Sequence, residues 1–273
     1  MEAICKICPR HCNLSEGQPG ACLGRVCKDG VVVCKNYGHL TAIALDPIEK
    51  KPLMHFHPGS KILSVGSYGC NMHCPFCQNY DISTTDKVET WMVSPKMLAK
   101  KAQELTAEGN IGVAYTYNEP FISYEYVMDC AAEVHKLQLQ NVVVTNGMIC
   151  DEPLQQILPL IDAMNIDLKA FTDKFYKMAG GDLATVKNTI AVASEVCHVE
   201  VTTLIIPDLN DSVQEMEEIS QWIASINENI PFHVSRFFPC YKMADSKPTP
   251  VKMVYDLADI ARKYLKHVYT GNC

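Results

Sequence analysis

The sequence predicts an α/β fold of parallel βα units, preceded by a small cysteine-rich lobe. Three observations predict it. From Lys61 onward, short apolar runs alternate with longer stretches of helical periodicity. The runs are apolar almost continuously, as strands covered on both faces must be. Residues 1 to about 60 are rich in Cys, Gly and Pro and lack helical periodicity. Residues 1–60 are therefore expected to form a metal-stapled lobe, and residues 61–273 the α/β domain. With 273 residues and 48% apolar content, the chain has enough apolar surface for that core.

In chain order, "GVVVCKN" reads as a strand of the lobe, and "DPIEKKPLMHFHPGS" as an irregular connector holding Pro47, Pro52 and Pro58. The α/β domain supplies six strand candidates: "KILSVGSYG", "IGVAYTY", "NVVVTN", "AMNIDLK", "HVEVTTLII" and "PFHVSRFF". Between them, Ser94-Pro95 opens a helix with Leu98, Ala102 and Leu105 on its apolar face. A second helix runs roughly from Ile122 to Leu137. Asp182 caps a third, with Val186, Ile190 and Ala193 on one side. Ser212 and Glu215 have the spacing of a capping box, followed by Met216, Ile219, Ile223 and Ile226. Thr249-Pro250 opens the last, with Met253, Leu257, Ile260 and Leu265. Periodicity does not separate a doubly wound sheet from an open barrel. In both, ligands bind at the C-terminal ends of the strands.

Net charge is −7, without the basic stripe of a nucleic-acid binder. The longest apolar runs are too short to span a bilayer, and "MEAICKICPRHC" has no signal-peptide core. A cytoplasmic protein with no nucleic-acid or membrane partner is expected. Of 14 cysteines, nine precede Asn79. In a reducing compartment such clustering points to metal or redox chemistry rather than disulfides. Cys130, Cys150 and Cys197 lie in apolar or helical contexts and read as small buried hydrophobes.

Two clusters carry the chemistry. Cys5, Cys8, Cys12 and Cys22 have the spacing C-x2-C-x3-C-x9-C, a complete four-thiolate set suited to zinc, a mononuclear iron or an auxiliary iron–sulfur cluster. Cys70, Cys74 and Cys77, spaced C-x3-C-x2-C, follow the first strand of the α/β domain directly. Three thiolates can hold three irons of a 4Fe–4S cube and leave the fourth iron open, as a catalytic metal requires. The competing reading is a zinc knuckle borrowing His73. Its weakness is that the triplet sits at a strand end and opens a barrel-length domain.

The triplet, with Phe76 before its last cysteine, resembles the radical S-adenosylmethionine (SAM) superfamily. The blocks "CxxCPRHCxxxxGxxGxC", "LDPIEKKPLMHFHPGS", "SVGSYGCNMHCPFCQNYDIS", "AYTYNEP" and "SRFFPCYKM" occur in order. Together they resemble the AmmeMemoRadiSam-system radical SAM enzymes, relatives of the pyruvate formate-lyase activating enzymes. The resemblance implies a partial (β/α)6 TIM-like barrel and a 4Fe–4S cluster on Cys70, Cys74 and Cys77. It implies reductive cleavage of SAM to methionine and a 5′-deoxyadenosyl radical that abstracts hydrogen. It also implies a reductant such as flavodoxin or ferredoxin.

By the same resemblance, Phe76, Asn118, Glu119, Thr145 and Asn146 lie about the cofactor. Tyr117-Asn118-Glu119-Pro120 stands where the superfamily has Gly-Gly-Glu-Pro, whose acid holds the cofactor's amino group. Asp167 and Lys169 line the same rim; two apart on a strand, they face one side and pair with each other or bracket a substrate. Arg236 is expected to contact adenosine or the methionine carboxylate. Val144 replaces the aspartate that helps those activating enzymes bind a monovalent cation, so no such site is implied. The target is a protein backbone, as in glycyl-radical activation, or a small molecule or peptide. The rival class, a non-catalytic iron–sulfur carrier or redox sensor, accounts for many cysteines. It does not account for an open triplet beside polar residues at successive strand ends.

Overall fold

The computed structural model describes all 273 residues, Met1–Cys273. The lobe begins with two antiparallel pairs, β1 (Glu2–Ile4) with β2 (Asn13–Ser15) and β3 (Arg25–Lys28) with β4 (Val31–Cys34). The expected "GVVVCKN" strand is β4. The main sheet contains β6 (Ala42–Pro47), β7 (Lys61–Gly66), β9 (Asn110–Tyr115), β10 (Gln140–Thr145), β11 (Ala163–Asp167), β12 (His198–Ile205), β13 (Phe232–Arg236) and β14 (Val268–Gly271). Two short strands outside it, β5 (His39–Leu40) and β8 (Trp91–Met92), pair with each other.

The sheet order is β14-β13-β12-β11-β10-β9-β7-β6, parallel throughout except for the antiparallel β6 at one edge. All six expected strands are present. The two they omit are the sheet edges. In β6 the residues are half-exposed without alternation and end in Asp46-Pro47, so those two residues of the supposed connector continue a strand. In β14 only four residues pair, the last a glycine.

Around the sheet lie α1 (Tyr80–Ser83), α2 (Pro95–Glu104), α3 (Tyr124–Lys136), α4 (Asp151–Ile157), α5 (Asp173–Ala179), α6 (Leu183–Ser194), α7 (Val213–Asn227) and α8 (Val251–Ala261). Ser94, Asp182 and Ser212 cap α2, α6 and α7, accepting from Met97, Thr185 and Glu215 N–H groups. One expectation changes. Glu215 does not complete a capping box; its carboxylate reaches away to accept from Phe171 N at 2.6 Å. Thr249-Pro250 opens α8 as expected, and the Thr249 hydroxyl donates to Ile205 O at the end of β12 and accepts from Phe237 N just past β13, tying the helix entry to both strands. Leu265 lies beyond the end of α8, yet is buried in the core.

The two faces of the sheet are filled differently. Outward side chains such as Leu63, Val113, Val143, Met164 and Val234 meet Leu98, Val127, Ile190, Ile219 and Leu257 from the helices in one continuous core. Inward ones form a separate small cluster, in which Ile48 and Leu53 plug against Ile62, Ala114, Val142 and Ala163. The segment after β6 crosses the inner face to the opposite edge of the sheet. Pro52 O accepts from Asn165, Glu200 accepts from Met54 N and His55 N, and His55 Nε2 lies 2.5 Å from Tyr269 Oη. A sheet whose two edges meet through one short segment is curled. The strands' C-terminal ends then surround a single cavity.

Candidate functional site

That cavity has a volume of about 750 Å³, and Cys70, Cys74 and Cys77 all line it. Asn118 holds the start of their loop: its Oδ1 accepts from Ser67 N, and its Nδ2 donates to Gly69 O. Further along, Gly69 N donates to Ile82 O, His73 N to Ala179 O, and Asn79 Nδ2 to Tyr117 O at 2.6 Å. Phe76 is buried, packs against Phe175 and also borders the cavity. Burial pushes the Cys70 thiol well above its usual range and the Cys74 thiol up to about 11, Lys169 working against the rise at Cys74.

Glu119 ends the segment after β9 as the cap of a 3₁₀ turn, accepting from Phe121 N at 3.0 Å. It also accepts from the Thr145 hydroxyl at 2.8 Å and from Asn146 N at 2.8 Å. Two of these donors share Oε1, so Oε2 keeps room for another. Burial nevertheless pushes its carboxyl up to about 7, because three neutral donors do not replace water around a carboxylate. Tyr117 sits at φ +70°, the left-handed region, where the superfamily motif has glycine. The conformation is held by Asn79 on its carbonyl, Asp46 on its hydroxyl and the Lys51 ammonium 4.8 Å over its ring.

Across the cavity, Lys169 Nζ and Asp167 Oδ2 are 2.7 Å apart. Burial disfavours the Lys169 charge, but Asp167 and Cys74 outweigh it and keep the amine protonated. Thr202 lines the cavity. Thr203 faces the other way and donates to Leu168 O. His233, Ser235 and Tyr269 complete this wall.

A second, small pocket lies in the lobe. Cys5, Cys8, Cys12 and Cys22 all line it, with Arg10 and Arg25. Arg25 Nε is buried without a hydrogen-bond partner, a cationic donor beside four thiols. Cys27 and Cys34 do not line this pocket. Burial raises the Cys22 thiol to about 11.

The radical SAM superfamily model matches residues 64–223. The chain belongs to the radical SAM superfamily. An uncharacterized protein of Methanocaldococcus jannaschii is 38% identical over 98% of this chain and 80% of its own length. Among solved structures, Streptococcus suis SuiB bound to S-adenosylmethionine has a TM-score of 0.60 at 14% identity, covering 78% of this chain and 52% of SuiB. A domain of pyruvate-formate lyase-activating enzyme from Bacteroides vulgatus has a TM-score of 0.51 at 14% identity, covering 59% of this chain and 99% of that domain. At such identities these likenesses concern the fold.

Radical SAM membership makes the chain an enzyme and implies a 4Fe–4S cluster and S-adenosylmethionine. The residues present fit that pair. Burial opposes ionisation of the Cys70 and Cys74 thiols, and a metal centre would hold them as thiolates. No three His, Cys, Asp or Glu side chains converge on a single ion position, but a cube does not ask for that, since its ligands bind different irons. His73, the ligand a zinc knuckle would borrow, is exposed and lies against Gly180. Arg236 is not brought to the cavity. Alternation along β13 turns Ser235 inward, while Arg236 donates to Thr249 O and covers the Phe238 ring. Asn118 borders the cavity, but its amide is committed to the triplet's own loop. Cys130 is fully buried, whereas Cys150 and Cys197 are half-buried. No helix is long and apolar enough to cross a membrane. The cavity residues that sequence reasoning missed are chiefly Lys51, shortly after the unpredicted edge strand β6, and Tyr269, within the other unpredicted edge strand β14.

Proposed function

We propose that the chain cleaves S-adenosylmethionine reductively at a cluster on Cys70, Cys74 and Cys77, then abstracts a hydrogen atom from a protein backbone, a peptide or a small molecule. The observation that carries this is the convergence of the three thiols with Glu119, Thr145 and Asn146 on one cavity at the strands' C-terminal ends. When bound, cluster and cofactor supply a 5′-deoxyadenosyl radical. The chain's own residues do the rest. Glu119, held by three donors, presents Oε2 to the cofactor's ammonium. Phe76 and Phe175 form an apolar wall beside the triplet. The Asp167–Lys169 pair, part-exposed on the far wall, is offered to a polar target. The N-terminal thiols are read as a second site, for an auxiliary iron–sulfur cluster rather than zinc, because no three ligand side chains converge on one ion position; Arg25 would offset the cluster's charge. A flavodoxin- or ferredoxin-type donor supplies the electron.

The test is anaerobic reconstitution with iron and sulfide, reduction, and assay for 5′-deoxyadenosine. Cleavage is expected in the intact chain. It should be lost, to background, on replacing any one of Cys70, Cys74 or Cys77 by Ser. Cleavage that survives such a replacement refutes the ligand assignment. Absence of cleavage in a cluster-replete sample refutes the activity.

A further inference from the structure

The two cysteine sites lie back to back. Gly69 has φ +85°, and a Cβ there would fall 2.2 Å from Cys22 O, so the loop entering the triplet abuts the backbone of the N-terminal set. Arg10 spans the join, donating from Nε to Asn71 O at 2.7 Å and from its terminal nitrogen to Gly180 O at 2.6 Å. Between the sites lie two buried amides. Asn146 Nδ2 is 3.6 Å from Cys70 Sγ and donates to Asn71 Oδ1 at 2.9 Å. Asn71 Nδ2 donates to Met148 O at 2.8 Å, and its side chain lies beside the Cys8 thiol.

We propose that Asn71 and Asn146 form a bridge coupling the two sites, so that what occupies the N-terminal thiols tunes the reduction potential at the triplet. This rests on the reading of the triplet as cluster ligands. Neither amide can reverse. A reversed Asn71 would set its oxygen against Met148 O and its NH2 against that of Asn146, while Asn146 Oδ1 already accepts from Met148 N at 2.9 Å. Asn71 is completely buried, so its link to Asn146 is shielded from solvent. Hydrogen bonds to cluster sulfurs and local charge are what set the potential of an iron–sulfur centre. The bridge moves no proton and breaks no bond. It carries polarisation from the Cys8 side to the donor on Cys70. Asn71 is thus a positioning residue, acting on the triplet through Asn146.

The experiment is potentiometry monitored by electron paramagnetic resonance, on the full-length reconstituted protein. Four forms are compared: wild type, Asn71→Leu, Cys12→Ser, and the double variant. A form with Cys70, Cys74 and Cys77 all replaced by Ala gives the N-terminal signal to subtract. Asn71→Leu should make reduction of the triplet's cluster less favourable by about tenfold, which is about 59 mV for one electron. Cys12→Ser should also shift this potential in the wild-type background, but not further once Asn71 is replaced. Asn71→Ser repeats the comparison should the leucine not be accommodated. Additive shifts, or no shift from either single replacement, overturn the bridge while leaving the triplet reading intact. Wild-type protein that takes up no iron at the triplet overturns that reading and the bridge with it.

Discussion

Glu119 shows what one buried side chain costs and what it prepares. Its carboxyl titrates near 7 against an ordinary 4.5, because burial outweighs the donors from Asn146, Phe121 and Thr145. The sign follows from proton counts. Between about pH 4.5 and about 7 the folded protein holds a proton that the unfolded chain has released, so stability falls as pH rises through that window. The full loss is about 3 kcal/mol. The denaturation midpoint of the metal-free protein should therefore drop from pH 5 to pH 8 more in wild type than in Glu119→Gln. Parallel pH profiles for the two proteins would sink this account of Glu119. A cofactor ammonium on Oε2 would supply the missing counter-charge and hold the carboxylate ionised.

Among the elements, the segment that follows β6 does most to turn a sheet into an enclosure, and Glu200 of β12 is what fastens it. Glu200 is fully buried, yet hydrogen bonds from His198, His233, Met54 N and His55 N overcome that burial and pull its carboxyl down to about 2. A depressed carboxyl contributes stability above its unfolded value and loses it as pH falls from about 4.5 to about 2. The contribution is about 3 kcal/mol. Glu200→Gln should lower the urea midpoint at pH 7 by that order and flatten acid unfolding between pH 5 and 2. Acid unfolding unchanged from wild type would show that Glu200 is not the fastening.

The same segment marks where the sequence stopped being legible. The six central strands were readable because strands buried on both faces are uniformly apolar. Ser94, Asp182 and Ser212 were readable as caps because capping is a local interaction. The edges β6 and β14 are short, half-exposed and bounded by Pro47 or Gly271, so no pattern marks them. In the site, the triplet and Glu119 stood out by spacing and motif. Arg236 was expected at the cofactor, but which way a strand's last residue points depends on pairing register. Tyr117 looked like a loss of the motif's glycine. The backbone there keeps the left-handed conformation through contacts with Asp46, Lys51 and Asn79, distant in sequence and invisible to it.

On the scale of the whole molecule, the cysteine-rich lobe and the sheet are fastened at several points. Asn36 Nδ2 donates to Tyr68 O at 2.9 Å, Cys150 N donates to Ile7 O at 2.9 Å, and Arg10 ties Asn71 to Gly180. The most consequential tie is Arg25 of β3 with Glu125 of α3, a two-pronged pair with one contact at 2.8 Å. Arg25 is 5% exposed in its side chain and Glu125 43%. The unequal burial decides what each replacement does. Removing the half-exposed partner strands a buried cation, which typically costs about 3–5 kcal/mol. Glu125→Ala should fall at the low end, because the Glu125 side of the pair is open to water. Arg25→Met removes the buried charge altogether and should cost less, since an apolar side chain of similar length fits the same space. Because the ties cross between lobe and sheet, chemical unfolding should remain a single transition in both variants, moved to lower denaturant and followed alike by tryptophan fluorescence and by far-ultraviolet circular dichroism. Two separated transitions, the first accompanied by loss of metal from the lobe, would mean that the lobe unfolds on its own. The tie would then be local rather than global.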